Sequence, residues 1–327
     1  MSWPLPDHTG TDHPTESSPW EATIPIRVSS PRYVIVSPVK DEAQYITHTI
    51  ESVIAQTVKP KAWVIVDDGS TDDTVEIVKQ YAEQIPWIKL VESGNKGRRN
   101  TGSAESIAFK FGYELVKGLD FDYLVKLDGD VSFDEHYFEM VFEEFEADLK
   151  LGIASGAYLE NRKQMWKVVR MPTYHTAGAS KVVRRSCFEA IGGFITVPGW
   201  DTVDEIRAWA HGWTTKHFGS IRFFHLKNEG SGMGRIRTAM MHGEICYMTG
   251  GSSLFLSMKV LHRIVSARPF LLAGLSVLFG YLKCAASRKE LLVTKEEKKH
   301  YRNMLNSRLS GTIFSRLGRK SEASLEA

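Results

Sequence analysis

The sequence has little cysteine. Cys187, Cys246 and Cys284 are the only three, far apart and odd in number. They offer neither a disulfide framework nor a zinc-knuckle spacing, and they suit a reducing compartment. The chain also lacks a bias to one charge. A net charge of +2 over 327 residues argues against a dedicated nucleic-acid binder, which would be strongly basic. The stretch from Met1 to Arg27 is rich in Pro, Ser, Thr and acids and has no apolar run of the signal-peptide kind, so residues 1–30 read as a flexible lead. Long apolar runs are scarce. The longest, Pro269 to Cys284, falls short of the roughly 20 residues of a membrane-spanning helix. No internal repeat is visible.

What is present is an ordinary globular composition. The hydrophobic and charged fractions are 43% and 24%, and the length suffices for a full core. From Pro31 onward apolar strand runs alternate with helical periodicity. Tyr33 to Val36 reads as a buried strand followed by a loop from Ser37 to Glu42. Ile46, Ile50, Val53 and Ile54 then recur at helical spacing. Ala62 to Val66 reads as a second strand, with Ser70, Thr71 or Asp72 able to cap the helix that carries Val75, Ile77 and Val78. Trp87 to Val91 is a third strand, Ser103 to Lys117 a helix, and Tyr123 to Leu127 a fourth strand. This alternation predicts an α/β fold with a mostly parallel sheet flanked by helices.

Ligands of such sheets bind beyond the carboxyl ends of the strands. Here those ends carry Ser37-Pro38, Asp67-Asp68 and Asp128-Gly129-Asp130. In an extended segment Asp128 and Asp130 point to one side, and Gly129 between them removes bulk. Converging carboxylates are costly unless something positive neutralises them. A divalent cation holding a phosphate-bearing ligand would do so. Asp-Gly-Asp also suits a plain turn, and helix capping explains part of the second cluster but not the third.

Beyond Asp130 the rhythm changes. The pattern predicts a helix over Phe133 to Lys150, strands over Ile153 to Tyr158, Lys181 to Val183 and Ile221 to Leu226, and a short helix from Cys187 closed by Gly192-Gly193-Phe194. A loop with Trp200-Asp201-Thr202-Val203-Asp204-Glu205 opens a helix that runs to His211.

Four stretches together resemble glycosyltransferase family 2, inverting nucleotide-sugar enzymes of the GT-A (Rossmann-like) fold. They are Val36 to Glu42, Val66 to Asp72, Leu127 to Asp130 and Ile191 to Phe194. They fall in the family's order, and the likeness spans roughly residues 30–230. The resemblance implies a nucleotide-diphosphate sugar as donor, Mg²⁺ or Mn²⁺ as cofactor, and an acceptor hydroxyl on a glycan or lipid-linked saccharide. It places Asp67 and Asp68 at the base and ribose, with Pro38 and Glu42 lining that pocket. It sets Asp130 on the metal, Asp128 on the metal or ribose, and His225 as a further metal contact. Lys96 and Arg98 would lie near the nucleotide, although Gly-Arg-Arg-Asn departs from the family's usual small residues there. Arg235, after a glycine-rich stretch, could close over the pyrophosphate.

An inverting transfer needs one base for the acceptor's proton. In the family it is an acid of a Glu-Asp pair that opens a helix. Here Trp200 precedes Asp201, so the pair is absent as such, and Asp201 or Asp204 can match. Asp201 is preferred. Either one could instead only cap the helix.

Residues 31–240 thus form the expected transferase domain, and 241–327 a C-terminal extension of amphipathic and apolar helices with a basic tail. That extension suits either a helix lying in a membrane interface or a buried helical hairpin. The absence of a Gln-X-X-Arg-Trp motif argues against a synthase that extrudes its own polymer. The expected location is cytoplasmic, with peripheral contact at the inner face of the cell membrane. Three rivals remain: a Mg²⁺-binding receiver domain, whose acidic pair would sit elsewhere; a haloacid-dehalogenase phosphatase, which would want acids where Ser37-Pro38 stands; and a catalytically silent scaffold of the same fold.

Overall fold

The computed structural model describes residues 30–94, 103–162, 164–227, 234–266 and 271–308. By its internal contacts the chain divides after Ser30, with Pro31–Ala327 as the second unit. All that follows concerns that unit.

The first half alternates strands and helices as expected. β1 (Tyr33–Val39), α1 (Ile46–Ile54), β2 (Ala62–Asp67), α2 (Thr74–Gln84), β3 (Ile88–Glu92), α3 (Ser103–Val116) and β4 (Tyr123–Leu127) follow one another. β1 pairs in parallel with β2 and β4, and β2 with β3. Apolar runs bury β1, β2 and β4 on both faces, as covered parallel strands must be, whereas β3, at the sheet edge, is only partly buried. β1 is longer than the sequence suggests, because Ser37, Pro38 and Val39 still pair with β2. Pro38 is tolerated because the β4 pairing of β1 stops at Val36, so no ladder partner waits for its missing N–H.

The second half adds β5 (Val131–Ser132), α4 (Tyr137–Ala147), β6 (Leu151–Arg162), β7 (Met165–Val168), β8 (Ser180–Arg184), α5 (Arg185–Ala190), α6 (Trp200–Ala210) and β9 (Thr214–His225). The sheet order is β3-β2-β1-β4-β8-β6-β9-β5, with β7 on β6. β8 runs antiparallel to β4 and to β6. β5 and β7 are too short to read from sequence. The helix expected from Phe133 starts only at Tyr137, since Val131 and Ser132 pair with His225 and Phe224 of β9. Thr49 of α1 clamps β5 from the other side, donating to the Val131 carbonyl at 2.7 Å and accepting its N–H at 3.1 Å.

The main core lies between the sheet and α1, α2 and α4, around Trp63, Tyr33, Phe138 and Phe142. A second core joins α3 and α5 to the other face. Gly112 sets α3 tightly on the sheet, because a Cβ there would come within 2.6 Å of Val36 and 2.7 Å of Val66.

The C-terminal segment forms α7 (Arg235–Met248), α8 (Ser253–Ser266) and α9 (Leu272–Ala286), then α10 over 295–308. α7 and α9 touch backbone to backbone. A Cβ on Gly243 would lie 1.9 Å from the Val277 carbonyl oxygen, and one on Gly280 2.1 Å from that of Met240. One side of α8 and α9 is buried in this bundle. The other exposes Leu254, Leu261, Val265, Leu275, Phe279 and Leu282. Among the described residues no helix is long and apolar enough to cross a membrane.

Candidate active site

The carboxyl ends of β1, β2 and β4 meet at one rim of the sheet. At β2 the Asp67 carboxylate accepts the backbone N–H groups of Gly69 and Ser70 at 3.0 and 3.1 Å. Gly69 turns with φ +81°. Asp67 thus shapes the turn that presents Asp68, whose Oδ1 accepts the Ser93 hydroxyl at 2.7 Å. Both aspartates are buried. The turn is laced to the loop after β1. Asp41, at φ +53°, accepts the Thr71 N–H at 2.7 Å, Asp72 accepts that of Ala43 at 3.0 Å, and Lys40 donates to the Asp68 carbonyl at 2.8 Å. None of Ser70, Thr71 and Asp72 is the N-cap of α2: that position is Asp73, without a side-chain cap hydrogen bond, and Asp72 only accepts the Thr74 N–H from one residue earlier, at 3.1 Å.

At the end of β4 Asp128 and Asp130 lie close together, and His225 joins them. These three offer ligand atoms all within 4.8 Å of one another, and His225 Nε2 lies 3.4 Å from Asp130 Oδ2. The β5–β9 pairing brings them together: Val131, next to Asp130, is in register with His225, and the Leu226 N–H donates to the Asp130 carbonyl at 2.8 Å. Gly129 allows this packing. A Cβ there would be 3.0 Å from Val39, 3.2 Å from Ile46 and 3.4 Å from Glu42. Two carboxylates and an imidazole in this spacing suit a divalent cation such as Mg²⁺ or Mn²⁺.

Glu42 stands beside that group. Its Oε1 takes a 2.8 Å ion pair from Lys227. Burial pushes its carboxyl up to about 7 against the pull of Lys227, and the charges of Asp130 and Asp128 push the same way. Asp128 is likewise raised by burial to about 6, with Lys126 opposing and Glu105 and Asp130 assisting. Lys126 is a site residue that sequence reasoning missed. Its ammonium is buried and bridges Asp128 and Glu105 of α3. Burial works against its charge, but those two acids hold its pKa above the ordinary lysine value. The available signal was a lysine inside an otherwise apolar strand.

Trp200 links this group to α6, since Lys126 and Lys181 lie 5.3 and 5.0 Å from its ring. α6 opens after Gly199, at φ +93°. Asp201, in its first turn, is half-buried, whereas Asp204 is buried. Asp204 is committed to the fully buried Lys181 at 2.7 Å, and burial raises it to about 7 despite that cation. Lys181 also donates to the Asp201 carbonyl at 3.2 Å. Glu205 accepts the Thr176 N–H and hydroxyl at 2.6 and 2.8 Å and faces His175 Nδ1 at 3.0 Å.

The rim therefore gathers Pro38, Glu42, Asp67, Asp68, Asp128, Asp130 and His225, while Asp201 follows Trp200, whose ring lies 5.3 Å from the Lys126 ammonium that holds Asp128. Arg235 is exposed at the start of α7. Lys96 and Arg98 lie outside the described residues.

Residues 34–197 match the family model for glycosyl transferase family 2. Chondroitin synthase of Escherichia coli is 32% identical over 132 residues, which is 40% of this chain and 17% of that protein. Poly-beta-1,6-N-acetyl-D-glucosamine synthase of Staphylococcus aureus is 28% identical over 116 residues, 36% of this chain and 26% of that protein. The chain thus spans a minor part of these relatives' length. In three dimensions it is similar to the Pyrobaculum calidifontis mannosyltransferase PcManGT in complex with GDP-Man and Mn²⁺, with TM-score 0.52 and 18% identity, covering 88% of this chain and 81% of that one. S. aureus TarS 1-349 with UDP-GlcNAc gives TM-score 0.50 at 16% identity, covering 83% and 78%. These likenesses show a shared fold.

Proposed function

Since the chain belongs to glycosyl transferase family 2, we propose that it is an inverting, metal-dependent glycosyltransferase. It moves a sugar from a nucleotide-diphosphate donor to an acceptor hydroxyl in glycan or lipid-linked saccharide synthesis. The observation that carries this reading is the convergence of Asp128, Asp130 and His225 on the rim where β1 and β2 also end. Structures of the same fold hold GDP-Man with Mn²⁺ and UDP-GlcNAc, which supports a nucleotide-sugar donor here.

In this reading Asp130, Asp128 and His225 hold Mg²⁺ or Mn²⁺. The cation, when bound, offsets charge on the departing nucleoside diphosphate. Asp68 and Glu42 supply acceptors to the nucleoside, next to Pro38, and Asp67 fixes the turn that positions Asp68. Lys126 holds Asp128 in place. Lys96, Arg98 and Arg235 are assigned to the nucleotide and its phosphates. Asp201 takes the proton of the acceptor hydroxyl, because it is the more accessible of the two candidate acids and adjoins Trp200. Asp204 and Lys181 form a buried pair that fixes the start of α6.

The exposed apolar faces of α8 and α9, with the basic residues that follow, support peripheral attachment at the inner face of the membrane. Binding of UDP and GDP with Mn²⁺ and with EDTA tests the proposal. Metal-dependent tightening for either nucleotide, lost in Asp130→Ala, is expected. Equal affinity with and without metal would refute it and favour a silent scaffold.

A further inference from the structure

α7 and α8 do more than extend the fold: they close over the first turn of α6. A Cβ on Gly199, immediately before α6, would lie 3.2 Å from Ile245 of α7. Phe255 of α8 packs against the cluster that holds Val203 and Ile206 of α6. On α7, His242 sits one turn before Ile245. On α8, Lys259 and Arg263 sit one and two turns after Phe255, on one helix face. All three are half-buried. The charge of Asp201 reaches both His242 and Lys259, and Lys259 and Arg263 both act on His242.

The other charged groups around this spot have partners. Lys181 pairs with Asp204, and His175 faces Glu205. Among the described residues, Lys259 and Arg263 make no ion pair. The carboxylate whose charge acts on both His242 and Lys259 is Asp201, set against two fixed cations and an imidazole. Cations withdrawn from water without an anion are unfavourable. Consistently, burial and the neighbouring cations lower His242 to about 4, and burial and Arg263 lower Lys259.

We propose that His242, Lys259 and Arg263 form an anion subsite on the acceptor side of Asp201, and that the acceptor carries a phosphate ester near the hydroxyl it offers. This rests on the reading of Asp201 as the base of a sugar transfer. The donor's phosphates are assigned to the Asp128–Asp130–His225 end and to Arg235 at the start of α7. His242 lies two turns further along that helix, next to the Gly199–Ile245 contact that opens α6, so an anion held there with Lys259 and Arg263 belongs to the second substrate. A phosphate fits better than a carboxylate. Arg263 alone satisfies a carboxylate in bidentate fashion, whereas three converging donors match the several oxygens of a phosphate.

The test uses the full chain with sn-glycerol 3-phosphate as the soluble probe and glycerol as its neutral control. Phosphatidylcholine vesicles with and without phosphatidate form the lipid arm. Saturable binding of glycerol phosphate, or binding only to phosphatidate vesicles, is expected for the native chain, and which arm responds identifies a soluble or a lipid-borne ester. Lys259→Met and Arg263→Gln should each weaken it by about tenfold, the worth of one charge-assisted hydrogen bond, while Mn²⁺-dependent UDP or GDP binding stays as in the native chain. Arg263→Gln, at a second half-buried position, guards against misfolding of Lys259→Met. Equal binding in native and variant chains, or none in either arm, overturns the subsite. If phosphate binding behaves as stated but no nucleotide responds to Mn²⁺, the subsite stands and the transferase reading falls.

Discussion

His225 Nε2 lies 3.4 Å from Asp130 Oδ2, although most of the second half of the domain separates the two in sequence. A two-residue strand, β5, sets that distance by pairing with the last residues of β9. Asp130→Ala should lower the Mn²⁺-dependent affinity for a nucleoside diphosphate by at least about tenfold, and His225→Ala should lower it less, with native thermal stability in both. Calorimetric titration with and without EDTA checks this.

Asp201 and Asp204 differ in what holds them. Asp201→Asn should keep donor binding and reduce turnover by about 10²–10⁴-fold, the usual worth of a general base. Asp204→Asn leaves Lys181 buried and uncompensated, so it should cost about 3–5 kcal/mol of stability. Urea unfolding together with single-turnover assays separates the two. A native-like stability for Asp204→Asn with no turnover would transfer the role of base to Asp204.

Gly129 faces Val39 and Ile46 where a Cβ would come within 3.0 and 3.2 Å. Gly129→Ala should destabilise the fold by about 1–3 kcal/mol through overpacking and should also weaken Mn²⁺ binding, because relief of the clash moves Asp128 or Asp130. Retention of native metal affinity would show that the packing and the ligand spacing are independent.

Lys126 is buried between two carboxylates. Lys126→Met should strip Asp128 and Glu105 of their shared cation and cost about 3–5 kcal/mol. The loss should be smaller in mildly acidic solution, where Asp128, raised to about 6, takes up a proton. Chemical denaturation across pH 5 to 8 measures it.

The His175–Glu205 pair gives a pH signature. Burial opposes the charged imidazole, but Glu205 raises His175 above the ordinary value. A raised folded pKa means that the pair's stabilisation is fully present below about pH 6.5, the unfolded value. It is lost as pH rises through the higher folded value. The stability difference between the native chain and His175→Gln should therefore shrink from pH 6 to pH 8. An unchanged difference would mean that the pair carries no linked proton.

Much of this was legible in the chain itself. The periodicity of residues 33–127 determined the alternating strands and helices, because buried parallel strands must be apolar on both faces. The acids after β2 and β4 marked the rim, because the carboxyl ends of parallel strands lie there; Asp128 and Asp130 come together across the turn that follows Leu127, not by strand alternation. Other features belonged to the tertiary structure alone. Val131–Ser132 became a strand only because β9 offered it an edge, and that pairing brings His225 to Asp130. The role of Lys126 depends on Glu105 arriving from α3, and the difference between Asp201 and Asp204 on where Lys181 of β8 comes to rest. The closure of α7 and α8 over α6 follows from glycine contacts between helices that no local pattern announces. Local sequence specifies which residues share a strand or a helix face. Which charges then meet is decided by contacts between segments distant in the chain, where desolvation and pairing act on all of them at once.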